Sequence, residues 1–187
     1  LTEKQIARKI HDYYMDNSEG ESFSAIVASG ENSSKPHAVP TDRTIQKKDI
    51  ITIDMGCIVN GYCSDMTRTI FVGEITEEQK NIYNLVLKNQ KIALNQIRDG
   101  ANIKAIVKGV ESDFNLNQNT LIHSLGHGVG LEIHEAPIVG IKSDFNLKDN
   151  MVITDEPRNI YSRKFWSKNR RYGTCNKERC NCLDRIK

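Results

Sequence analysis

The chain has 187 residues, of which 38% are hydrophobic and 27% are charged, and its net charge is only +2. This length and composition are typical of one globular domain and exclude a disordered tail protein. No apolar run approaches the roughly 20 residues of a membrane-spanning helix, which excludes an integral membrane protein. The near-neutral charge argues against a dedicated nucleic-acid binder. No secretory leader is recognisable, and we therefore expect a cytoplasmic protein.

The first predicted elements are a helix, a strand and a long loop. The helix begins at a capping box, Thr2-Glu3-Lys4-Gln5, and apolar residues then recur at helical spacing. Because Leu1 stands directly before this box, we expect that the chain begins inside a longer protein. Residues 23–28 are predicted to form a strand. Residues 29–43 are rich in Gly, Pro and small polar residues, and such long structured loops usually carry a function.

A β-hairpin is predicted around Asn60-Gly61, because this pair favours a type I′ turn between the alternating segments 50–59 and 62–72. In this register Asp54 faces Thr67 and Asp65 faces Gly56. The two aspartates then lie on one sheet face as diagonal neighbours, roughly 7 to 8 Å apart at the backbone.

Two carboxylates aimed at one point repel each other unless a cation or a shared proton lies between them. A pair of divalent ions about 3.5 to 4 Å apart would suit this geometry. The small residues on the same face leave room for such ions. The alternative is a solvated face, which is common in antiparallel hairpins.

The elements that follow are two helices, a stretch rich in His and Gly, and a strand. A second capping box, Thr76-Glu77-Glu78-Gln79, opens a long helix that Gly100 is predicted to end. A shorter helix is predicted around residues 103–110, and residues 151–155 are predicted to form a strand.

Four of the five histidines lie in loop-like stretches close to Gly or Pro, whereas His11 is expected on a helix surface. Glycines flank one of them in Gly126-His127-Gly128, which leaves the backbone free to place an imidazole. Glu156, at the end of a predicted strand, adds an oxygen donor. Hard oxygen donors with one imidazole suit Mn, Fe, Co or Zn better than Cu. The four loop histidines are His37, His123, His127 and His134.

The order Asp54, Asp65, His127, Glu156 resembles that of the pita-bread metallopeptidases, the family of methionine aminopeptidases, Xaa-Pro aminopeptidases and prolidases. The matching segments are SSKPH (33–37), IDMG (53–56), SDMTRT (64–69) and HSLGHGVGLEIHEAP (123–137). The resemblance covers residues 1–157. It implies an α+β pita-bread fold that is incomplete at the C-terminus.

The resemblance also implies roles for these residues. Asp54 would bind one metal ion with both oxygens, Asp65 would bind both ions, and His127 and Glu156 would complete the ligand set. Glu156 would also accept a proton from the attacking water. His37 and His134 match histidines that bind the scissile group and stabilise its tetrahedral intermediate, and His123 matches an accessory position near the substrate.

The IDMG and SDMTRT segments resemble the proline-specific branch. This implies two divalent ions, Mn²⁺ before Co²⁺ or Zn²⁺, and peptide substrates with proline at the second position. A homodimer is expected only of the full-length protein, and neither nucleic acid nor a membrane is expected as a partner. Two alternatives stay open, a methionine aminopeptidase and a non-catalytic pita-bread peptide-binding module. The four retained ligands favour an enzyme over the module.

The segment 158–187 differs from the catalytic domain predicted for residues 1–157. The family ends in a Val-Arg-Ile-Glu-Asp strand whose glutamate bridges the metals, and this strand is missing here. In a reading frame shifted by one base, codons that the tail permits encode Gly-Ile-Tyr after Pro157 and then the missing strand. The glutamate of that strand falls across the codons of Arg170 and Arg171. We therefore predict that residues 158–187 are an out-of-frame, non-native tail. Cys175, Cys180 and Cys182 then form no zinc site, and at least one metal binds weakly.

Overall fold

The fold combines three α-helices with short antiparallel strands. The computed structural model describes residues 1–35, 37–117, 121, 124–161, 165–168, 171–174 and 181–182. The helices are α1 (Glu3–Asn17), α2 (Glu77–Leu94) and α3 (Ile103–Leu116). The strands are β1 (Ile26–Ser29), β2 (Ile50–Met55), β3 (Ile58–Val59), β4 (Tyr62–Cys63), β5 (Met66–Phe71), β6 (Gly126–Gly128), β7 (Glu135–Val139), β8 (Val152–Asp155), β9 (Arg158–Tyr161), β10 (Phe165–Lys168), β11 (Arg171–Thr174) and β12 (Asn181–Cys182).

Two sheets carry the site described below. Strands β1, β2 and β5 form a three-stranded sheet in the order β1-β2-β5, and a five-stranded sheet has the order β12-β11-β8-β6-β7. All the pairings within these sheets are antiparallel. Two further pairs, β3-β4 and β9-β10, are two-stranded. The predicted α+β class is confirmed.

The main apolar core packs α2 and α3 against the five-stranded sheet. Helix α3 buries one face at helical spacing, and Phe114 at its end is fully buried. Val86 and Ala93 of α2 meet this face, and Ile153 of β8 contributes from the sheet. This core packs β7 and β8 against the helices.

The predicted hairpin is confirmed in its turn and in the register of its paired strands, whereas Gly56 and Asp65 lie in the break between these strands and do not pair in the ladder. Asn60 and Gly61 both have positive φ angles, of 51° and 76°, as a type I′ turn requires. Val59 pairs with Tyr62, and Asp54 pairs with Thr67, as predicted.

The two hairpin strands are each interrupted, which the alternation did not predict. Ser22 causes the break, because its backbone N–H donates to the Gly56 carbonyl (3.1 Å) and its hydroxyl donates to the Ser64 carbonyl (2.6 Å). A Cβ on Gly56 would lie 2.0 Å from the Ser64 carbonyl oxygen. A glycine is therefore needed where these segments approach.

Both predicted capping boxes are present, while some element boundaries differ. Thr2 and Thr76 each cap their helix reciprocally with the glutamine three residues later. Helix α2 ends at Leu94, before the predicted stop at Gly100, because the N–H groups of residues 96 and 97 both turn back to the Ala93 carbonyl. Strand β1 covers Ile26–Ser29 rather than 23–28. No helix in the described ranges combines the length and apolarity that crossing a membrane requires.

The segment predicted to be out of frame contributes backbone strands to the fold. Strand β11 pairs with β8 and places Arg171 opposite Asp155 in the ladder. Ladder hydrogen bonds join backbone groups, which every residue except proline provides in full, so strand pairing is compatible with either reading frame. The division at residue 157 and the out-of-frame origin of the tail stay predictions. Cys175 and Cys180 lie outside the described residues.

Glu3 ties the first helix to the loop that carries His37. Its carboxylate is fully buried and accepts five hydrogen bonds, from Ser29 N and Oγ, Asn32 Nδ2, and Thr41 N and Oγ1, at 2.6–2.9 Å. Burial alone would raise the pKa of Glu3, but the hydrogen bonds from Thr41 and Ser29 outweigh it, and the pKa lies below its ordinary 4.5. The charged carboxylate thus organises both ends of the loop.

We predict that Glu3→Gln lowers the free energy of unfolding by at least about 2 kcal/mol, because buried donors lose their ionised acceptor. Since the folded-state pKa is depressed, this stabilisation is present above pH 4.5 and is lost as the pH falls through the lower folded value. Urea unfolding between pH 3 and 7 measures the free energy of unfolding and its dependence on pH. Glu77→Gln is the matched control, since Glu77 also follows a capping threonine but is exposed. Equal losses in both variants would contradict the assignment.

Candidate metal centre

A cavity of about 960 Å³ lies where the two sheets meet. Asp54 reaches it from β2 and Asp65 from the residue before β5, whereas His127 enters from β6 and Glu156 from the end of β8. The structure therefore brings together six of the seven residues that the sequence singled out. Those six are His37, Asp54, Asp65, His127, His134 and Glu156. His123 lies outside the described residues.

Asp54 and Asp65 are buried, so they do not lie on a solvated sheet face. Asp54 is 6% exposed and Asp65 is fully buried. The Thr67 hydroxyl donates to Asp54 Oδ1 at 2.8 Å, and this fixes the orientation of that carboxylate. Two carboxylates buried in one cavity repel each other unless a cation or a shared proton lies close by.

His127 is oriented by two hydrogen bonds from its own residue. Its backbone N–H donates to Thr154 Oγ1 at 3.0 Å, and its ring Nδ1 donates to the Gly128 carbonyl at 2.8 Å. A carbonyl only accepts, so Nδ1 carries the hydrogen. The other ring nitrogen, Nε2, lies 3.4 Å from Asp65 Oδ2 and 3.2 Å from Glu156 Oε1. This is the tautomer that leaves Nε2 available to a metal.

The strand that carries His127 approaches β8 closely because it begins with glycine. A Cβ on Gly126 would lie 2.0 Å from the Thr154 carbonyl oxygen, and a Cβ on Gly128 would lie 2.3 Å from the Ala136 carbonyl oxygen. The sequence suggested that these glycines free the backbone around the imidazole. The structure gives a different physical reason, namely close packing against both neighbouring strands.

Thr154 links two of the candidate ligands. No sequence pattern predicted this role, and only the strand that contains Thr154 was predicted. Its hydroxyl accepts from His127 N and donates to Glu156 Oε1 at 2.9 Å. Glu156 is further held by its own N–H, which donates to the Leu125 carbonyl at 2.8 Å. One hydroxyl thus sets the relative positions of a histidine and a carboxylate.

His134 and His37 lie toward the open side of the cavity. The ring of His134 stands 4.3 Å from that of His127, measured between centroids. Both His134 and His37 are exposed, in contrast to the buried carboxylates. His11 is outside this group, and its Nδ1 pairs with Glu21 on the surface at 2.9 Å, as expected of a surface histidine.

Arg158 also lines this cavity, although the sequence assigned it no role. It is only 8% exposed. Burial lowers the pKa of Arg158 to about 10, while the charges of Glu156 and Asp54 raise it, and the guanidinium therefore keeps its charge at neutral pH. A buried cation thus stands among the candidate ligands.

The donor set fits divalent ions in its chemistry. Three carboxylates and one imidazole with a fixed tautomer are hard or borderline donors, as Mn²⁺, Co²⁺ and Zn²⁺ prefer. Among the described residues, no three His, Cys, Asp or Glu side chains already form a cage around a point where an ion could sit. Nε2 of His127 lies 3.4 Å from an oxygen of Asp65 and 3.2 Å from an oxygen of Glu156. Donor atoms that bind one ion at about 2.0–2.2 Å lie roughly 3 Å from each other, so these separations are compatible with ligands of a shared ion.

Comparison with known proteins places the chain in a family. Residues 1–178 match the metallopeptidase family M24, and the chain belongs to this family. Divalent metal ions are the cofactors that membership of a metallopeptidase family implies.

The relatives found by sequence and by structure agree with each other. The chain is 41% identical to a Xaa-Pro dipeptidase of Pyrococcus furiosus over 167 residues, which cover 87% of this chain and 47% of that protein. The solved prolidase from the same organism superimposes with a TM-score of 0.95 at 34% identity, over 100% of this chain and 56% of that one. An X-Pro aminopeptidase from Thermotoga maritima superimposes with a TM-score of 0.94 at 32% identity, over 100% and 54% respectively. The fold is the pita-bread fold, and the chain spans about half the length of these relatives.

We predict that Thr154→Val weakens binding of Mn²⁺ or Co²⁺ by roughly 10- to 100-fold, the usual effect of losing a group that orients metal ligands. Isothermal titration calorimetry on the purified chain measures the affinity. Thr52→Val is the matched control, because Thr52 is equally buried in β2 and its hydroxyl bonds to no described residue. A change of the same size in the control variant, or none in Thr154→Val, would refute the role of Thr154.

Proposed function

We propose that the chain is the catalytic part of a metal-dependent exopeptidase that hydrolyses the peptide bond before proline. The observation that carries this proposal is the meeting of Asp54, Asp65, His127 and Glu156 in one cavity, with two exposed histidines at its open side. The relatives include proteins named Xaa-Pro dipeptidase and prolidase, which supports proline as the second residue of the substrate.

The proposed metal ligands are Asp54, Asp65, His127 and Glu156. When bound, two divalent ions would acidify a water molecule and polarise the scissile carbonyl. Glu156 is proposed to accept the proton of the attacking water at a carboxylate oxygen. Thr154 orients that carboxylate through its hydrogen bond to Oε1. A fixed carboxylate is already placed for proton transfer and needs no rotation.

His37 and His134 are proposed to bind the substrate at the scissile group. Each can donate a hydrogen bond to the oxygen on which negative charge develops as the tetrahedral intermediate forms. Their exposure at the open side lets substrate reach them, while the ligands stay buried. His123 keeps its proposed accessory role near the substrate, by resemblance alone.

The lining of the cavity also supports a small substrate with an apolar ring. Phe23, Ile26, Ile133 and Ile138 contribute apolar surface beside the carboxylates and histidines. Apolar walls with a few polar groups are typical of pockets that orient small ligands. A pyrrolidine ring can pack against such a wall without leaving a polar group unsatisfied.

Finer features of the function rest on the sequence and the named relatives. We propose cleavage of Xaa-Pro dipeptides, because the curated relative is named a dipeptidase. Mn²⁺ as the physiological ion, a cytoplasmic location and a homodimer of the full-length protein complete the proposal. We also propose that activity of this chain is weak, since the glutamate expected near Arg170 and Arg171 is missing.

We predict that the purified chain with Mn²⁺ or Co²⁺ hydrolyses Leu-Pro slowly and Met-Ala not at all. Loss of a group that orients a metal ligand usually lowers activity by roughly 10- to 100-fold. Because Asp65 is itself a proposed ligand, Asp65→Asn should lower the turnover by more than this. Release of free proline, measured by amino-acid analysis, gives the rate. Asp16→Asn serves as the control, since Asp16 is exposed on α1.

The same assay separates the alternatives. Cleavage of Met-Ala in preference to Leu-Pro would identify a methionine aminopeptidase instead. Metal-dependent binding of Leu-Pro without any release of proline would indicate a binding module. Turnover that persists unchanged in Asp65→Asn, or after complete chelation, would refute a metal-dependent peptidase at this cavity.

A further inference from the structure

The cavity contains an excess of buried negative charge together with one buried arginine. Asp54, Asp65 and Glu156 are each no more than 6% exposed, and Arg158 is 8% exposed. Arg158 lines the same cavity as Glu156 and Asp54, and the charges of these two carboxylates raise its pKa. The guanidinium is thus a counter-charge that the protein itself supplies to this group of carboxylates.

The position of Arg158 is fixed by the elements on either side of it. It follows directly after Glu156 and Pro157, and it is the first residue of β9. The N–H of Glu156 is bound to the Leu125 carbonyl, and the backbone of Arg158 pairs with Lys168 in β10. The backbone that carries Arg158 is therefore held at the edge of the cavity.

A guanidinium and a divalent ion bind carboxylates for the same electrostatic reason. Arg is a planar cation that carboxylates bind strongly, and it stays charged at neutral pH. Its charge satisfies part of the carboxylate charge, and it repels a divalent ion nearby, most strongly where water is excluded. Occupation of the site by the ion must overcome both effects.

We propose that Arg158 is an internal cation that competes with divalent metal ions for Asp54 and Glu156 and so lowers the metal affinity of this chain. This inference rests on the proposed metal site. It adds a cause of weak metal binding separate from the missing glutamate.

The test measures metal affinity without any peptide. Titration calorimetry with Mn²⁺ and with Co²⁺ compares the unmodified chain with Arg158→Met, which keeps the bulk of the side chain, and with Arg158→Gly, which removes it. Both variants should bind at least about tenfold more tightly, because each removes the buried positive charge. Arg158→Lys should bind as weakly as the unmodified chain. Arg98→Met is the control for loss of an exposed arginine, and it should change nothing.

Thermal unfolding provides a second measurement that remains informative if a variant is unstable without metal. Removing the guanidinium removes one of the groups that compensate the carboxylates, so metal-free Arg158→Met should unfold at a lower temperature than the unmodified chain. Added Mn²⁺ should then raise its Tm by more than it raises that of the unmodified chain. Equal Mn²⁺-induced shifts in the two proteins would overturn the proposal.

Two further outcomes would also overturn it. Tighter binding in Arg158→Gly but not in Arg158→Met would show that bulk, and not charge, opposes the ion. Unchanged affinity in both variants would remove any role for Arg158. Asp65→Asn in the Arg158→Met background separates this inference from the proposed function. If this double variant no longer binds Mn²⁺ or Co²⁺, the proposed metal site is supported independently of the role of Arg158. If it still binds the ion, both the proposed metal site and the inference about Arg158 are refuted.

Discussion

The structure depends on a concentration of negative charge that the protein buries in one cavity. Three carboxylates, Asp54, Asp65 and Glu156, lie there almost without access to water. Such an arrangement is unfavourable unless cations and hydrogen-bond donors compensate it. Thr67 and Thr154 provide donors, and Arg158 provides a cation. Membership of a metallopeptidase family implies divalent metal ions, and such ions would satisfy the same requirement.

The fold supports the site through close backbone approaches at points where side chains would not fit. Gly56 allows the β2–β5 hairpin to approach the segment that contains Ser22, and Gly126 allows β6 to approach β8. The first approach lies next to the two aspartates of the hairpin, and the second lies between the strands that carry His127 and lead to Glu156. The apolar core formed with α2 and α3 packs behind β8. The positions of the charged side chains therefore depend on packing within each sheet.

The segment that follows Glu156 is where this sequence departs from what the resemblance to the family leads us to expect. The relatives supply a fold that covers the whole chain, yet the chain spans about half of their length. Where the resemblance expects a glycine and then a ligand glutamate, this sequence has Arg158 and the pair Arg170 and Arg171. Of these residues, Arg158 is buried and lines the cavity. By our proposal, its positive charge opposes the binding of a divalent ion there.

The sequence alone determined the features that depend on near neighbours in the chain. The type I′ turn at Asn60-Gly61 fixed the hairpin register, since positive φ at two successive residues allows few alternatives. The capping boxes fixed where α1 and α2 begin, and motifs in a characteristic order gave the family. Only the tertiary structure decided what each side chain meets. Glu3 and Glu77 follow identical caps, yet Glu3 is buried under five hydrogen bonds and Glu77 is exposed, because only α1 packs against a polar loop. For the same reason Thr154 and Arg158 could not be recognised beforehand, since their partners lie on other strands and no local pattern records a distance in space.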